Sequence, residues 1–325
     1  MTLSIKQAAD QYITIVRDAR SVNTYKTYEN GISLFIQMLD DTDENWSQSD
    51  VSGISEDAIA IFIRSLKNHM ASTERLYLSA VTGFYEYLAA EKLADINLPR
   101  VHLLIKTRAR IPGQRLPQFP KDAIKKIVDH LVGLKQDLNQ DMEERLRILR
   151  DRAFLVSLAD TGMRVHEACN LKRGDIDYEE GKALIIGKGN RQAVIRFSKR
   201  SQQAIDDYLK LRAQLDGGSG KPLSSLPLFA RHDKGAGKKV KPITTTTGRN
   251  IVSEWVKQIL GSEFAGRVTP HSFRHYFVTR VLQGTGNLKM AQELARHKSI
   301  AVTQRYAHLN DDELDKGYFE VFEDK

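Results

Sequence analysis

Apolar residues at Ala8, Tyr12, Ile15 and Val16, and again at Tyr28, Ile32, Phe35, Ile36 and Leu39, recur at helical spacing and predict two amphipathic helices. A polar stretch from Asp40 to Asp50 separates them from a third helical segment, Ser55 to His69. Ser55 has the chemistry of an N-cap there, and Glu56 and Asp57 place acidic charge in the first turn. A fourth segment, about Ser72 to Lys92, carries Leu76, Val81, Phe84 and Leu88 on its apolar face. No alternation of strand type interrupts the four.

The pattern then changes. Between Ile96 and Lys121 there are six basic residues (Arg100, Lys106, Arg108, Arg110, Arg115 and Lys121) and no acidic one. Pro99, Pro112, Gly113, Pro117 and Pro120 fall in the same span and oppose regular structure. Residues 99–120 therefore read as a basic linker, either solvated or lying as a strap along a phosphate backbone. Beyond it, helices are predicted at 121–137, 143–161, 164–172, 198–214, 248–260, 271–283, 287–296 and 299–307. Lys182 to Ile186 and Gln192 to Phe197 read as two strands around the turn Gly187-Lys188-Gly189-Asn190. The expected class is mainly α with a small β-hairpin (α+β), in two domains, 1–98 and 121–325, joined by the linker.

Composition bounds the function. A chain of 325 residues is more naturally two domains than one small core. With 41% hydrophobic and 28% charged residues it has the balance of a folded, soluble protein. The formal charge of +8 favours a polyanionic partner. Cys169 is the only cysteine, which excludes an internal disulfide framework and a thiolate metal cluster. The first residues lack the apolar core of a secretory signal, and runs such as Ala58 to Ile63 are too short to span a bilayer. These features predict a cytoplasmic protein with no membrane partner.

The candidate chemistry lies in the second half. Arg164 follows Gly162-Met163 where one helix stops and the next begins, so it projects from a helix N-terminus, a place that favours anions. Glu167 shares its helix face; the bland alternative is a surface ion pair. His271 and Arg274 share one face of a helix introduced by Thr269-Pro270, and His275 lies on that face as well. Lys188, at the hairpin tip, is a long amine able to donate a proton if its pKa is lowered. Tyr306 is either a packing residue with a wet hydroxyl or a nucleophile; a phenol of pKa about 10 attacks only where nearby cations stabilise the phenolate. The string HEACN at 166–170 lacks the second histidine of a zinc helix, so His166 is expected to be partly buried and not a metal ligand.

In order, TGMRVHEACNL, GKGNRQ, HSFRH, LARHKSI and TQRYAHL resemble the signature of the tyrosine recombinases, the phage integrase family. The helical N-terminal region is similar to that family's core-binding domain, so the resemblance covers nearly the whole chain. It is nearest in layout to the simple Xer-like, transposon or phage integrases without an added arm-binding domain. The resemblance implies that Tyr306 attacks a DNA phosphodiester to form a 3′-phosphotyrosyl link. It implies that Arg164, Arg274 and His297 hold the phosphate, that His271 assists, and that Lys188 protonates the leaving oxygen, with Glu167 in support. Arg100, Lys106, Arg108, Arg110 and Arg115 are candidate DNA contacts. No metal or other cofactor is implied; the implied partners are double-stranded DNA bearing a recombination site, a synaptic tetramer of the chain, with the acidic tail 311–324 packing onto a neighbour, and an accessory directionality factor. The chain departs from the family in Arg296, where Gly is usual, in Lys298, a common serine position, and in His166. The competing readings are type IB topoisomerase-like relaxation and a non-catalytic DNA-binding regulator.

Overall fold

A computed structural model describes residues 3–42, 46–111, 122–134, 141–187, 191–233, 235 and 239–304. The chain divides into two compact units, Met1–Arg115 and Leu116–Lys325.

In the first unit, α1 (Ile5–Ala19), α2 (Val22–Thr42), α3 (Asp57–Ser65), α4 (Ala71–Ala90) and α5 (Leu98–Arg108) enclose one core. α1 starts with a capping box in which Ser4 and Gln7 satisfy each other's backbone N–H groups. The core is aromatic: Phe35, Phe62, Phe84 and Tyr85 are fully buried, and Phe35 meets Phe62 edge to face at 5.2 Å between ring centroids. A close approach between α1 and α4 depends on Gly83, because a Cβ there would lie 2.2 Å from the Tyr12 hydroxyl oxygen.

Two expectations need correction. α3 begins at Asp57 with Glu56 at the N-cap, and Ser55 uses its carbonyl to accept the Tyr85 hydroxyl at 2.8 Å instead of capping the helix. The segment read as a proline-containing linker opens as α5. Pro99 sits in the first turn, where its missing N–H costs nothing, and Asn97 caps the helix by accepting the Arg100 N–H at 3.0 Å. Val101 and Leu104 supply the buried face.

α5 is fastened by charge. Glu56 accepts the Asn97 N–H at 2.7 Å and Arg100 Nη1 at 3.0 Å, while Asp57 accepts Arg100 Nη2 at 2.7 Å. At its far end, fully buried Glu74 of α4 accepts the Arg110 N–H at 2.8 Å, Arg110 Nε at 2.5 Å and Lys67 Nζ at 3.2 Å.

The second unit contains α6 (Ala123–Gly133), α7 (Met142–Thr161), α8 (Val165–Asn170), α9 (Lys199–Gly217), α10 (Thr245–Leu260), α11 (Pro270–Thr285), α12 (Leu288–Ala295) and α13 (Ile300–Gln304). A small antiparallel sheet runs β1 (Ile176–Asp177), β2 (Lys182–Gly187) and β3 (Arg191–Arg196) in sequence order. β1 is a two-residue strand too short to leave an alternation in the sequence. Ala183, Ile185 and Ile195 face the core, and Leu184, Ile186 and Val194 face outward, the alternation of a one-sided sheet. α7 is the spine of this unit: from Ala153 to Thr161 all residues but Asp160 are buried, and Phe154 meets Phe229 edge to face. Among the described residues no helix is long and apolar enough to cross a membrane.

Candidate active site

The site is built where α7 stops. Gly162 ends the helix in the left-handed region at φ 59°, and a Cβ there would lie 2.4 Å from the Phe277 ring of α11, so both backbone and space require glycine. Two residues on, Arg164 is the N-cap of α8 with an extended backbone. Its N–H donates to Glu167 Oε2 at 2.8 Å and its Nη1 to Glu167 Oε1 at 2.9 Å. Glu167 is therefore a buried clamp on Arg164, not half of a surface pair.

α11 brings the next two groups. Pro270 occupies its first turn, and the Ser272 hydroxyl accepts the Thr269 N–H at 3.0 Å. That start places His271 and Arg274 one turn apart. Arg274, buried, donates through Nη1 to the Gly162 carbonyl at 2.6 Å and through Nη2 to the Ala295 carbonyl. One guanidinium thus joins the end of α7 to the end of α12.

α12 stops at Arg296, which takes the left-handed conformation at φ 58°. For a residue with a Cβ this costs about 1–2 kcal/mol, which explains why glycine suits the position. The Arg296 guanidinium turns back to the α7–α8 junction: Nη2 donates to Glu167 Oε2 at 3.0 Å and lies 3.4 Å from the Gly162 carbonyl oxygen. His297 follows. Its N–H donates to the Gln292 carbonyl at 3.0 Å, and its Nδ1 is 2.8 Å from the hydroxyl of buried Thr303 in α13.

Residues from four stretches of sequence, 162–167, 271–274, 295–297 and 303, are thereby brought together. Arg164, Arg274 and Arg296 are linked through the Gly162 carbonyl and the Glu167 carboxylate. The electrostatics follow. Burial and then Arg274, Arg164 and Arg249 pull the His271 pKa below its ordinary value. Burial followed by Arg274, Arg164 and Arg296 lowers His297 to about 4. Both imidazoles are therefore neutral near pH 7. Burial works to raise Glu167, but the Arg164 N–H, Arg296 and the Arg164 side chain outweigh it and hold the carboxyl below its usual range. His275 is also lowered, with burial as the largest cause.

Three expectations turn out differently or lie elsewhere. His166 is exposed, not partly buried. Lys188 and Tyr306 lie outside the described residues, as do Arg115 and the acidic tail. Arg100 and Arg110 are engaged by Glu56, Asp57 and Glu74, whereas Lys106 and Arg108 are exposed. Two site cations had no clear signal in the sequence. Arg249 of α10 acts on His271 across a long chain separation. Arg296 stood out only by occupying a glycine's place. Cys169 is buried, and its thiol is pushed up to about 12 by burial, so it is inert. Among the described residues no group of three or more His, Cys, Asp or Glu could hold a metal ion.

The chain belongs to the phage integrase family of tyrosine recombinases, DNA strand-transferring enzymes: the Phage integrase family model matches residues 135–313, and the phage integrase N-terminal SAM-like domain matches residues 10–92. It is a site-specific recombinase, and neither relaxation of a single duplex nor non-catalytic binding is favoured. It is 28% identical over 319 residues to the tyrosine recombinase XerC of Pediococcus pentosaceus, covering 96% of this chain and 95% of that protein. It is 32% identical over 241 residues to XerC of Bacillus licheniformis, covering 74% of this chain and 71% of the other. In fold it is similar to the Tn1549 transposon integrase in complex with transposon right end DNA, with a TM-score of 0.69, 18% identity, and coverage of 98% of this chain and 99% of that one. XerH site-specific recombinase bound to difH substrate has a TM-score of 0.65 and 19% identity, with 96% of this chain and 83% of that one covered.

Proposed function

We propose that this chain cleaves and rejoins double-stranded DNA at a specific site, with Tyr306 as nucleophile and the arginine pocket as the phosphate clamp. The Tyr306 oxygen attacks the scissile phosphorus, a 3′-phosphotyrosyl ester forms, and the bond to the 5′-oxygen breaks. Lys188 gives that oxygen its proton, and His271, neutral near pH 7, takes up the phenol's proton. Arg164 and Arg274 hold the non-bridging oxygens, for which planar guanidinium forks are suited. His297 Nδ1 lies 2.8 Å from the Thr303 hydroxyl; in the tautomer we assign, Nδ1 accepts from that hydroxyl and Nε2 carries the proton that it donates to the phosphate. The ester conserves the bond energy, so a 5′-hydroxyl from a second duplex religates the strand without nucleotide hydrolysis.

The observation that carries this reading is the meeting of Arg164 and Arg274 at the α7–α8 junction, with two neutral histidines beside them. α13 is described as far as Gln304, two residues before Tyr306 in the sequence, and its Thr303 hydroxyl lies 2.8 Å from His297 Nδ1. Lys106 and Arg108 on exposed faces of α5 supply backbone contacts, with Arg115. Arg100 and Arg110 contribute charge while anchoring α5. Strand exchange between two duplexes requires four protomers, with residues 311–325 as the element that joins neighbours and an accessory factor setting direction. Such a protein works in the cytoplasm, on the nucleoid.

The test begins by trapping with detergent the DNA held covalently by the chain in cells carrying its own locus. Sequencing that DNA gives the site. A nicked duplex of that site, in chelator, is expected to yield a covalent adduct with the purified chain. Tyr306→Phe should bind the duplex and give no adduct; equal adduct from that variant would refute the assignment.

A further inference from the structure

We propose that Arg296 is a positioning residue of the phosphate pocket, neutralising and orienting Glu167 so that Arg164 keeps its charge and remaining N–H groups for the phosphodiester. The inference rests on the phosphate-clamp reading and goes beyond it, because it concerns a residue that does not itself engage the reacting atoms.

Three observations carry it. The first is cost. Arg296 holds a left-handed backbone that glycine would adopt freely. Its Nη1 is also buried with no hydrogen-bond partner among the described residues, which is unfavourable for a charged group. A side chain that is doubly unfavourable for stability needs another reason to be there.

The second is charge balance. Glu167 is buried and ionised, and with Arg164 alone it would form a neutral pair. Arg296 makes the cluster two guanidiniums on one carboxylate, with one net positive charge left for an incoming dianionic phosphorane. The groups facing this carboxylate are Arg164 at the start of α8 and Arg296 at the end of α12. Arg274 and His271 on α11 and His297 after α12 share the same cationic pocket.

The third is geometry. Glu167 Oε2 takes both the Arg164 N–H and Arg296 Nη2, while Oε1 takes Arg164 Nη1. Arg296 therefore shares Oε2 with the Arg164 N–H and holds in place the carboxylate that positions Arg164. Through the Gly162 carbonyl it also shares an acceptor with Arg274.

The test uses single-turnover cleavage of the nicked site duplex at saturating DNA by the full-length chain and four variants: Arg296→Gly, Arg296→Lys, Glu167→Gln and the double variant Arg296→Gly/Glu167→Gln. Binding and melting temperature are measured beside the rates. Arg296→Gly should cleave about 10- to 100-fold slower, with DNA affinity changed less than about threefold and a melting temperature equal to or above that of the unmodified chain. Arg296→Lys should recover part of the rate. Because Arg296 acts through Glu167, the double variant should be no more than about threefold slower than the slower single variant. An unchanged rate in Arg296→Gly, losses that multiply in the double variant, or a lowered melting temperature with a normal rate would each overturn the proposal. No adduct from the unmodified chain would instead sink the phosphate-clamp reading itself.

Discussion

Glu74 in the first unit and Glu167 in the second are each buried among cations, and the two clusters use nearly the same parts. Glu74 accepts one backbone N–H and the side chains of Arg110 and Lys67; Glu167 accepts one backbone N–H and the side chains of Arg164 and Arg296. Both carboxyls are held below their usual range against the opposing effect of burial. What differs is what the cations do next. Arg110 goes on to donate to the carbonyls of Leu66 and His69, so its cluster is closed and ties α5 to α4. The Glu167 cluster keeps an Arg296 Nη1 with no partner among the described residues and sits beside two histidines whose pKa values its arginines depress. A buried carboxylate with two cations is therefore no mark of a site; neighbours with perturbed pKa values are.

Substitutions can sharpen that contrast. The largest effect is expected at Arg274, whose guanidinium spans the Gly162 and Ala295 carbonyls and depresses both pocket histidines. Arg274→Ala should slow adduct formation about 10³-fold or more. It should also lower the melting temperature, because Arg274 joins the ends of α7 and α12. A slowing under about tenfold, measured by single-turnover cleavage, would remove it from the clamp.

Next come the glutamates themselves. Glu74→Gln should cost about 2 kcal/mol in chemical unfolding of its unit and leave the saturating cleavage rate of folded protein unchanged. Glu167→Gln should cost a comparable amount and, in addition, about 10²-fold in cleavage, because a misplaced Arg164 no longer matches the phosphate. Equal cleavage losses in the two variants would erase the distinction between staple and site.

The smallest expected effect is a pH dependence. The His297 pKa is about 4 in the folded chain and about 6.5 unfolded. Between those values the unfolded state binds the extra proton, so this group's contribution to stability falls as pH drops from about 6.5 towards 4. Buried His232, lowered to about 3, acts in the same direction. His297→Gln should flatten part of that slope, and His232, His271 and His275, lowered as well, should keep the rest. An unaltered slope in denaturant titrations at pH 7, 6, 5 and 4 would mean that His297 is not held neutral in the pocket.

Much of this was legible in the sequence where the physics is local. A glycine after a helical run, a proline opening HSFRH and a glycine-flanked turn each announce backbone geometry over a few residues, and Gly162, α11 and the β2–β3 ribbon follow from them. The sequence was misread where a local rule met a longer-range fact. Proline counted as a breaker at Pro99, yet in the first turn it helps start α5, and the apolar spacing of Val101, Leu104 and Ile105 was there to be weighed against it. Ser55 has the right chemistry for a cap but spends its carbonyl on Tyr85, 30 positions away. Nothing near Glu74 shows that Arg110, 36 residues later, will close over it. Arg296 was visible as an oddity of spelling, but its partner Glu167 lies 129 residues earlier, so its role needed coordinates.

The central claim is that the arginine pocket presents one phosphodiester to Tyr306. The measurement that tests it most directly is mass spectrometry of the trapped adduct after nuclease and protease digestion. The account predicts one modified peptide, with a nucleotide joined through its 3′-phosphate to the Tyr306 oxygen, and loss of that species in Arg164→Ala and Arg274→Ala. A nucleotide on any other residue, or one joined through a 5′-phosphate, would contradict it.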